Sequence, residues 1–389
     1  MGASPQLKPQ QQKLILIVDD TPTNIGVISG ALRDSYKTKV ATNGAKALAI
    51  AAEEEKPDLI LLDVMMPELD GYEVCRRLKA DPATSEIPVI FLTGQTRAED
   101  ETHGFDLGAV DYVHKPFSPA VVKARVRSHI LLREARAQLA KRLLDINAEF
   151  EMARQIQLAI LPHALPNLEG LDIAARYLPM TAIAGDFYDF IGIDQTHLGV
   201  LIADVSGHGL PSALIASMLQ VALTAQVANA SEPEKVLSGL NQALCGKFTS
   251  NFVTAAYVYL DLKNNFMRYA GAGHPPLLRC RASSGKADKV LENGLVLGMF
   301  PEATYQALEL PVETGDRILL CTDGIPEAAN RAQEQYGTER ILRFMENNTS
   351  LGAEQFSNAF LGELSLWSEQ SPEQGQQDDI TLLVIGVHR

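Results

Sequence analysis

Two sets of aspartates at the ends of apolar runs are the residues of this sequence whose types and spacing could do chemistry. In the first set, Asp19 and Asp20 follow Leu14 to Val18, Asp63 follows Leu59 to Leu62, Thr93 follows Val89 to Leu92, and Lys115 with Pro116 follows Asp111 to Val113. Carboxylates gathered at one rim suit a hard cation such as Mg²⁺, which takes oxygen ligands and keeps several waters. A phosphoryl group could then pass to a carboxylate nucleophile, with Asp63 the central candidate and Thr93 and Lys115 contacting phosphate oxygens. Singly, each residue reads as a helix cap, a strand end or a surface lysine. Their occurrence in order, one group per strand end, makes coincidence an explanation for only roughly a few per cent of such cases.

The second set lies between residues 184 and 381. It comprises Ala184-Gly185-Asp186-Phe187-Tyr188-Asp189-Phe190, Asp204-Val205-Ser206-Gly207-His208-Gly209 after the run Leu198 to Ala203, Thr322-Asp323-Gly324 after Arg317 to Cys321, and Gln377-Asp378-Asp379-Ile380-Thr381 before Leu382 to Val387. An aspartate at the end of a buried strand is held firmly, and glycine beside it admits close backbone approach. Any one of these motifs is ordinary turn chemistry. Four of them imply a shared cation site of oxygen ligands, suited to Mn²⁺ or Mg²⁺ rather than zinc. Two metals about 3.5 to 4 Å apart could activate a water for in-line attack on phosphorus, without a protein nucleophile. His208 and His274 read as loop-packing residues outside the catalytic set, and Tyr188 as core.

The elements that must position the first set alternate. Five short apolar runs are separated by helix-like stretches at about Asn24 to Asp34, Gly44 to Glu55, Gly71 to Lys79, Arg97 to Leu107 and from Pro119 onward. This predicts a doubly wound, flavodoxin-like parallel sheet, with its ligand site at the carboxyl ends of the strands. From Pro119 to Ile160 the chain has no internal glycine or proline and should be one helix. Leu132, Leu139, Ile146, Ala153 and Ile160 keep a seven-residue step, joined by Leu143 and Phe150 and interrupted at Arg136 and Gln157. We read a dimerising coiled coil, against the plainer alternative of one amphipathic helix lying on a domain. The expected organisation is a flexible leader over 1–12, a first domain over 13–125, a helical linker over 126–165 and a second domain over 166–389.

Composition narrows the function. The net charge of -14, from 34 basic and 48 acidic residues, disfavours a nucleic-acid partner. No apolar run approaches a membrane span and no signal peptide precedes the first strand, so a cytoplasmic protein without membrane association is expected. The cysteines, Cys75, Cys245, Cys280 and Cys321, form no metal or redox spacing and read as buried thiols.

The segments Ile17-Val18-Asp19-Asp20, Leu61 to Pro67 with Asp70-Gly71, and Val113 to Phe117 resemble a CheY-like receiver domain over about residues 13 to 125. The resemblance implies Mg²⁺ on Asp19, Asp20 and Asp63, phosphorylation of Asp63 by a histidine kinase or phosphotransfer protein, and a switch formed by Thr93 and Tyr112. The second set, with Gly271-Ala272-Gly273-His274-Pro275-Pro276, is similar to the PPM family of serine/threonine phosphatases in its bacterial sporulation and stress-response branch. That resemblance implies an α/β/β/α sandwich holding two Mn²⁺ or Mg²⁺ ions. Asp204 would bridge them, the Val205 carbonyl would bind one, Asp323 and Asp378 would hold the other, and Asp186 would act through a metal-bound water. Ala153-Arg154-Gln155-Ile156-Gln157 with Ile160-Leu161-Pro162 resembles the helix that precedes this domain and relays regulation. Ala184 stands where a glycine is usual, and no arginine directly precedes Asp186, Arg176 being the nearest.

Together these readings describe a multidomain α/β response regulator with a phosphatase output, homodimeric through its linker, acting on a phosphorylated protein that the resemblance makes an anti-sigma-factor antagonist. The competing class is a non-catalytic adaptor that uses the phosphatase fold for docking. Loss of Asp204, Asp323 or Asp378 would mark it, and all three are present. A cyclase or kinase output predicts a phosphate-cradling glycine loop or a catalytic basic residue near the acidic ones, and the sequence shows neither.

Overall fold

The computed structural model of the protein describes residues 12–94, 102, 104–180, 183–207, 209–248, 250–368 and 378–388. The leader to Gln11, most of the expected helix Arg97 to Leu107, His208 and Gln377 lie outside the described residues. The chain divides into two compact units, Met1–Asp145 and Ile146–Arg389.

In the first unit, β1 (Leu14–Val18), β2 (Lys37–Ala41), β3 (Leu59–Asp63), β4 (Val89–Thr93) and β5 (Asp111–His114) form one sheet in the order β2-β1-β3-β4-β5, parallel throughout. This is the doubly wound arrangement expected. The two faces of the sheet feed separate cores because side chains alternate along a strand. Leu16 and Val18 pack with Val74, Cys75 and Leu78 of helix α3 (Gly71–Ala80), whereas Ile15 and Ile17 pack with Ile28 and Leu32 of α1 (Pro22–Leu32). Asp63 and Thr93 are the last residues of their strands rather than the first beyond them, since each still pairs with its neighbour, Asp63 with Leu92 and Thr93 with His114. Helix α2 (Gly44–Ala51) stops short of Glu55. Glu53 and Glu55 instead sit against Lys39 of β2, at 2.8 and 3.7 Å.

A 42-residue helix runs from Pro119 to Ile160, about 60 Å at 1.5 Å per residue. Val122, Val126 and Ile130 are buried in the core that holds Ile15 and Ile17, so the first three turns close the receiver sheet. Beyond them Leu132, Leu139, Leu143, Ile146 and Phe150 are all exposed. Gln157, which breaks the heptad pattern, is buried.

The second unit is a sandwich of two five-stranded sheets. Its strands are β6 (Leu171–Leu178), β7 (Phe187–Gly192), β8 (His197–Val205), β9 (Val253–Asp261), β10 (Phe266–Ala272), β11 (Leu277–Arg281), β12 (Lys286–Val290), β13 (Leu308–Pro311), β14 (Arg317–Cys321) and β15 (Ile380–Val387). One sheet has the order β13-β10-β9-β8-β7 and the other β12-β11-β14-β15-β6, all pairs antiparallel. The strands that matter for the site are β6, β7, β8, β9, β14 and β15. Ile318, Leu320, Leu383 and Ile385 face the other sheet in the central core, along with Tyr188. Leu319, Leu382 and Val384 face outward against Phe344, Phe356 and Phe360, which belong to the helices Thr338–Asn347 and Ala353–Ser368. The opposite sheet is covered by the helices Leu210–Thr224 and Pro233–Leu244, whose Leu219 and Leu237 are buried against it. The result is the α/β/β/α sandwich. Among the described residues no helix is long and apolar enough to cross a membrane.

Candidate phosphoacceptor and metal sites

The parallel sheet delivers its carboxylates to one rim because every strand ends on the same side. Asp19, Asp20 and Asp63 each offer an oxygen within 4.8 Å of the others, and among the described residues no other trio of potential ligands does so. Asp19 is fully buried, and it accepts hydrogen bonds from the Thr21 amide at 2.8 Å, Asn24 Nδ2 at 3.0 Å and Lys115 Nζ at 2.8 Å. Asp63 is almost fully buried and is held by Lys115 at 2.8 Å. Burial pushes the Asp63 carboxyl above its ordinary range despite the neighbouring ammonium. For Lys115, burial alone would lower the pKa, but its two carboxylate partners outweigh that and raise it. Asp20 is exposed, so it is the ligand open to solvent. Thr93 is buried at the end of β4. The expected switch aromatic, Tyr112, is turned inward, packed at 5.4 Å from Phe91 and 5.1 Å from Phe105.

Gly71, eight residues beyond Asp63, packs directly against its backbone. A Cβ on Gly71 would lie 2.2 Å from the Asp63 carbonyl oxygen, and the Gly71 amide donates to the Val64 carbonyl at 2.9 Å. Gly71→Ala is therefore expected to displace the strand end that carries Asp63. It should destabilise the receiver by about 1–3 kcal/mol and slow phosphoryl uptake by acetyl phosphate, as read by thermal melting and intact mass.

In the sandwich, Asp204 is the penultimate residue of β8, paired in register with Thr254 of β9. Asp323 follows β14, and Asp378 precedes β15. The strand ends of the two sheets meet here, and the carboxylates interact electrostatically. Burial raises the Asp204 pKa to about 7, helped by Asp323, Asp378 and Asp379, and the Asp323 pKa is raised by burial and by Asp378. These three carboxylates do not converge within the 4.8 Å spacing of the receiver trio. Their chemistry nonetheless fits hard divalent cations, being all oxygen and crowded enough to disfavour full ionisation unaided. At Gly185 a Cβ would sit 2.7 Å from the Val205 carbonyl oxygen, so only glycine leaves that carbonyl open.

Asp186 is almost fully buried, and its Oδ2 accepts from Thr322 Oγ1 at 2.8 Å and Thr381 Oγ1 at 2.6 Å. Burial, then the charge of Asp204, raises its pKa well above the usual carboxylate value. Thr322 and Thr381 join the site through these bonds, although sequence alone does not mark them as site residues. Their signal was that each stands close to a motif aspartate at a strand end. Gln157 interrupts the heptad pattern of the long helix. It in fact brackets Ala184, accepting from its amide at 3.1 Å and donating to its carbonyl at 2.5 Å. Arg176 is engaged by Glu354 at 2.5 Å and Asn358 at 2.8 Å on the outer helix. His274 is buried with Nδ1 2.9 Å from Thr254 Oγ1, and burial holds its pKa down at about 3, so it is neutral at physiological pH.

A parallel-sheet receiver with an Asp63 and Lys115 pair, and a PPM-type sandwich lined by aspartates, define a response regulator with a phosphatase domain. The family model described as Stage II sporulation protein E (SpoIIE) matches residues 194–388, half of the chain, and that of the response regulator receiver domain matches residues 15–127. Phosphoserine phosphatase RsbU of Bacillus subtilis is 30% identical over 244 residues, covering 62% of this chain and 70% of that protein. A probable cyclic di-GMP phosphodiesterase of Vibrio cholerae is 52% identical over 119 residues, but this chain spans only 27% of its length. The solved SiaA-PP2C domain of Pseudomonas aeruginosa shares the fold at 22% identity and a TM-score of 0.55, covering 63% of this chain and 98% of that one. The chain belongs to the SpoIIE family of PPM-type phosphatases, with a CheY-like receiver domain at its N-terminal side.

Proposed function

We propose that the protein is a response regulator in which phosphoryl transfer to Asp63, from a histidine kinase or phosphotransfer protein, controls a metal-dependent phosphoserine/phosphothreonine protein phosphatase. The observation that carries this reading is that Asp204, Asp323 and Asp378, from strand ends of both sheets, lie near enough to interact electrostatically, with the carboxyl pKa values of Asp204 and Asp323 raised by burial and by the neighbouring carboxylates. Asp204, the Val205 carbonyl, Asp323 and Asp378 would hold two Mn²⁺ or Mg²⁺ ions, and Asp19, Asp20 and Asp63 would hold Mg²⁺ in the receiver. Bound divalent ions supply charge neutralisation for the phosphoryl group and activation of water. The chain itself contributes the orientation. Thr322 and Thr381 fix Asp186 at the site, and Gly185 keeps the Val205 carbonyl uncovered. Arg176, tied to Glu354 and Asn358, does not supply the guanidinium for phosphate.

The substrate we favour is a phosphorylated anti-sigma-factor antagonist in a partner-switching pathway, a reading supported by the similarity to RsbU. The exposed apolar series Leu132, Leu139, Ile146 supports a homodimer through the linker. The test is hydrolysis of p-nitrophenyl phosphate and of a phosphorylated antagonist by the full-length protein with Mn²⁺ or Mg²⁺, with and without beryllofluoride. Turnover that needs metal and responds to beryllofluoride supports the proposal. No turnover on either substrate in both receiver states would favour the adaptor.

Gln157 supports a route from the linker to the site, because from the last turn of the long helix it holds the backbone of Ala184, two residues before Asp186. Gln157→Ala leaves the fully buried Ala184 amide and carbonyl without these partners. The variant is expected to lose about 1–3 kcal/mol of stability. It should also lose most of the difference in turnover between beryllofluoride-treated and untreated protein. Unchanged control in a folded variant would remove Gln157 from the route.

A further inference from the structure

The second aspartate of the pair Asp378-Asp379 has no role in its motif, yet both of its carboxylate oxygens are held by backbone amides. Asp378 is exposed, whereas Asp379 is buried. Its two oxygens do separate work. Oδ1 accepts from the Met180 amide at 2.7 Å, and Oδ2 accepts from the Gly185 amide at 2.7 Å. These donors stand at the two ends of the connection between β6 and β7, one immediately before Asp186. The backbone of Asp379 is fixed as well. A Cβ on Gly324 would lie 2.0 Å from the Asp379 carbonyl oxygen, so the Asp323-Gly324 turn lies directly against it. The Asp379 amide also donates to Asp378 Oδ1 at 2.8 Å.

We propose that Asp379 is a positioning residue that closes the β6–β7 connection with both carboxylate oxygens, and so holds Asp186 between Thr322 and Thr381 while setting the adjacent Asp378. A carboxylate is required because both donors are backbone N–H groups. An amide side chain offers one acceptor oxygen and turns its own NH₂ toward the second N–H. Asp379 thus links three of the four acidic motifs through hydrogen bonds and contact. Its side chain acts through the loop and not on the reacting atoms. The inference rests on the phosphatase reading for its kinetic consequence, but its geometric part stands without it.

The test compares Asp379→Asn and Asp379→Ala with the wild type in the full-length protein. Kinetics are measured with p-nitrophenyl phosphate and Mn²⁺, and backbone amide exchange is followed by mass spectrometry on metal-free protein. Misplacement of catalytic groups is expected to lower kcat by about tenfold for Asn and about 100-fold for Ala, with KM for p-nitrophenyl phosphate changed less than about threefold. Exchange should accelerate in peptides covering Met180 and Gly185, while peptides from β8, β9 and β14 keep their protection. Acceleration throughout the sandwich, or Ala and Asn falling equally in kcat and rising equally in KM, would reduce Asp379 to a general stability role and overturn the proposal. Unchanged exchange at Gly185 would overturn it outright. If the wild type shows no Mn²⁺-dependent turnover, the phosphatase reading fails while the exchange experiment still decides whether Asp379 holds the loop.

Discussion

Asp204→Asn is expected to abolish metal-dependent phosphatase activity, by at least about 100-fold in kcat, and to make the metal-free sandwich more stable at neutral pH. Both effects come from one carboxylate. Burial, reinforced by Asp323, Asp378 and Asp379, raises its pKa from 3.8 to about 7. In the unfolded chain the group ionises near its ordinary value. Below that value both states are protonated, and the folded state bears no penalty. As pH rises toward 7 the unfolded state releases its proton first, so stability falls, and the loss levels off once the folded carboxyl has ionised too. A shift of this size corresponds to on the order of a few kcal/mol. Asparagine resembles the protonated acid at every pH and escapes the penalty. Melting curves in EDTA should therefore diverge between variant and wild type from about pH 4 upward, with the full gap above pH 7. A wild type that gains stability over this range relative to the variant would contradict the assignment of Asp204 to the crowded centre. The same proton must leave before a cation binds, so Mn²⁺ affinity should rise by up to about tenfold per pH unit below 7.

Asp63→Asn is expected to eliminate phosphoryl uptake by the receiver and, with it, any response of the phosphatase to beryllofluoride. The geometry distinguishes Asp63 from its neighbours. Asp19 already receives the Thr21 amide, Asn24 and Lys115, whereas Asp63 has Lys115 at 2.8 Å and the Met65 amide only at 3.4 Å. The less encumbered carboxylate is the better nucleophile. Intact mass after acetyl phosphate with Mg²⁺ should show a single phosphoryl adduct in the wild type and none in the variant. A full adduct on the folded variant would move the acceptor elsewhere. Lys115 balances both carboxylates, and its removal would leave Asp19 and Asp63 facing each other, at a cost of about 3–5 kcal/mol without Mg²⁺.

The strands of the receiver were legible almost to the residue. Strands β1, β3 and β4 are short apolar runs that lead into or end on Asp19, Asp63 and Thr93, and a parallel sheet sends those ends to one rim, so order along the chain translates directly into proximity. Asp63 and Thr93 moved only from just past a strand to its last position. In the sandwich the motifs were legible but their division of labour was not. Strands β8, β14 and β15 come from distant parts of the chain and two different sheets, and no periodicity reports how their ends face one another. Hence Thr322 and Thr381, which orient Asp186, and Asp379, which ties the loop before it, emerged only in three dimensions.

Gln157 marks the same boundary from the other side. Sequence by itself determined that Pro119 to Ile160 is helical, because helix propensity and the absence of breakers are local properties. It also determined the carboxylate chemistry, because residue type sets which ions and leaving groups are possible. Only the tertiary structure decided that one polar residue in an otherwise exposed stretch turns inward to hold Ala184, since a buried amide side chain needs partners that only folding brings within reach.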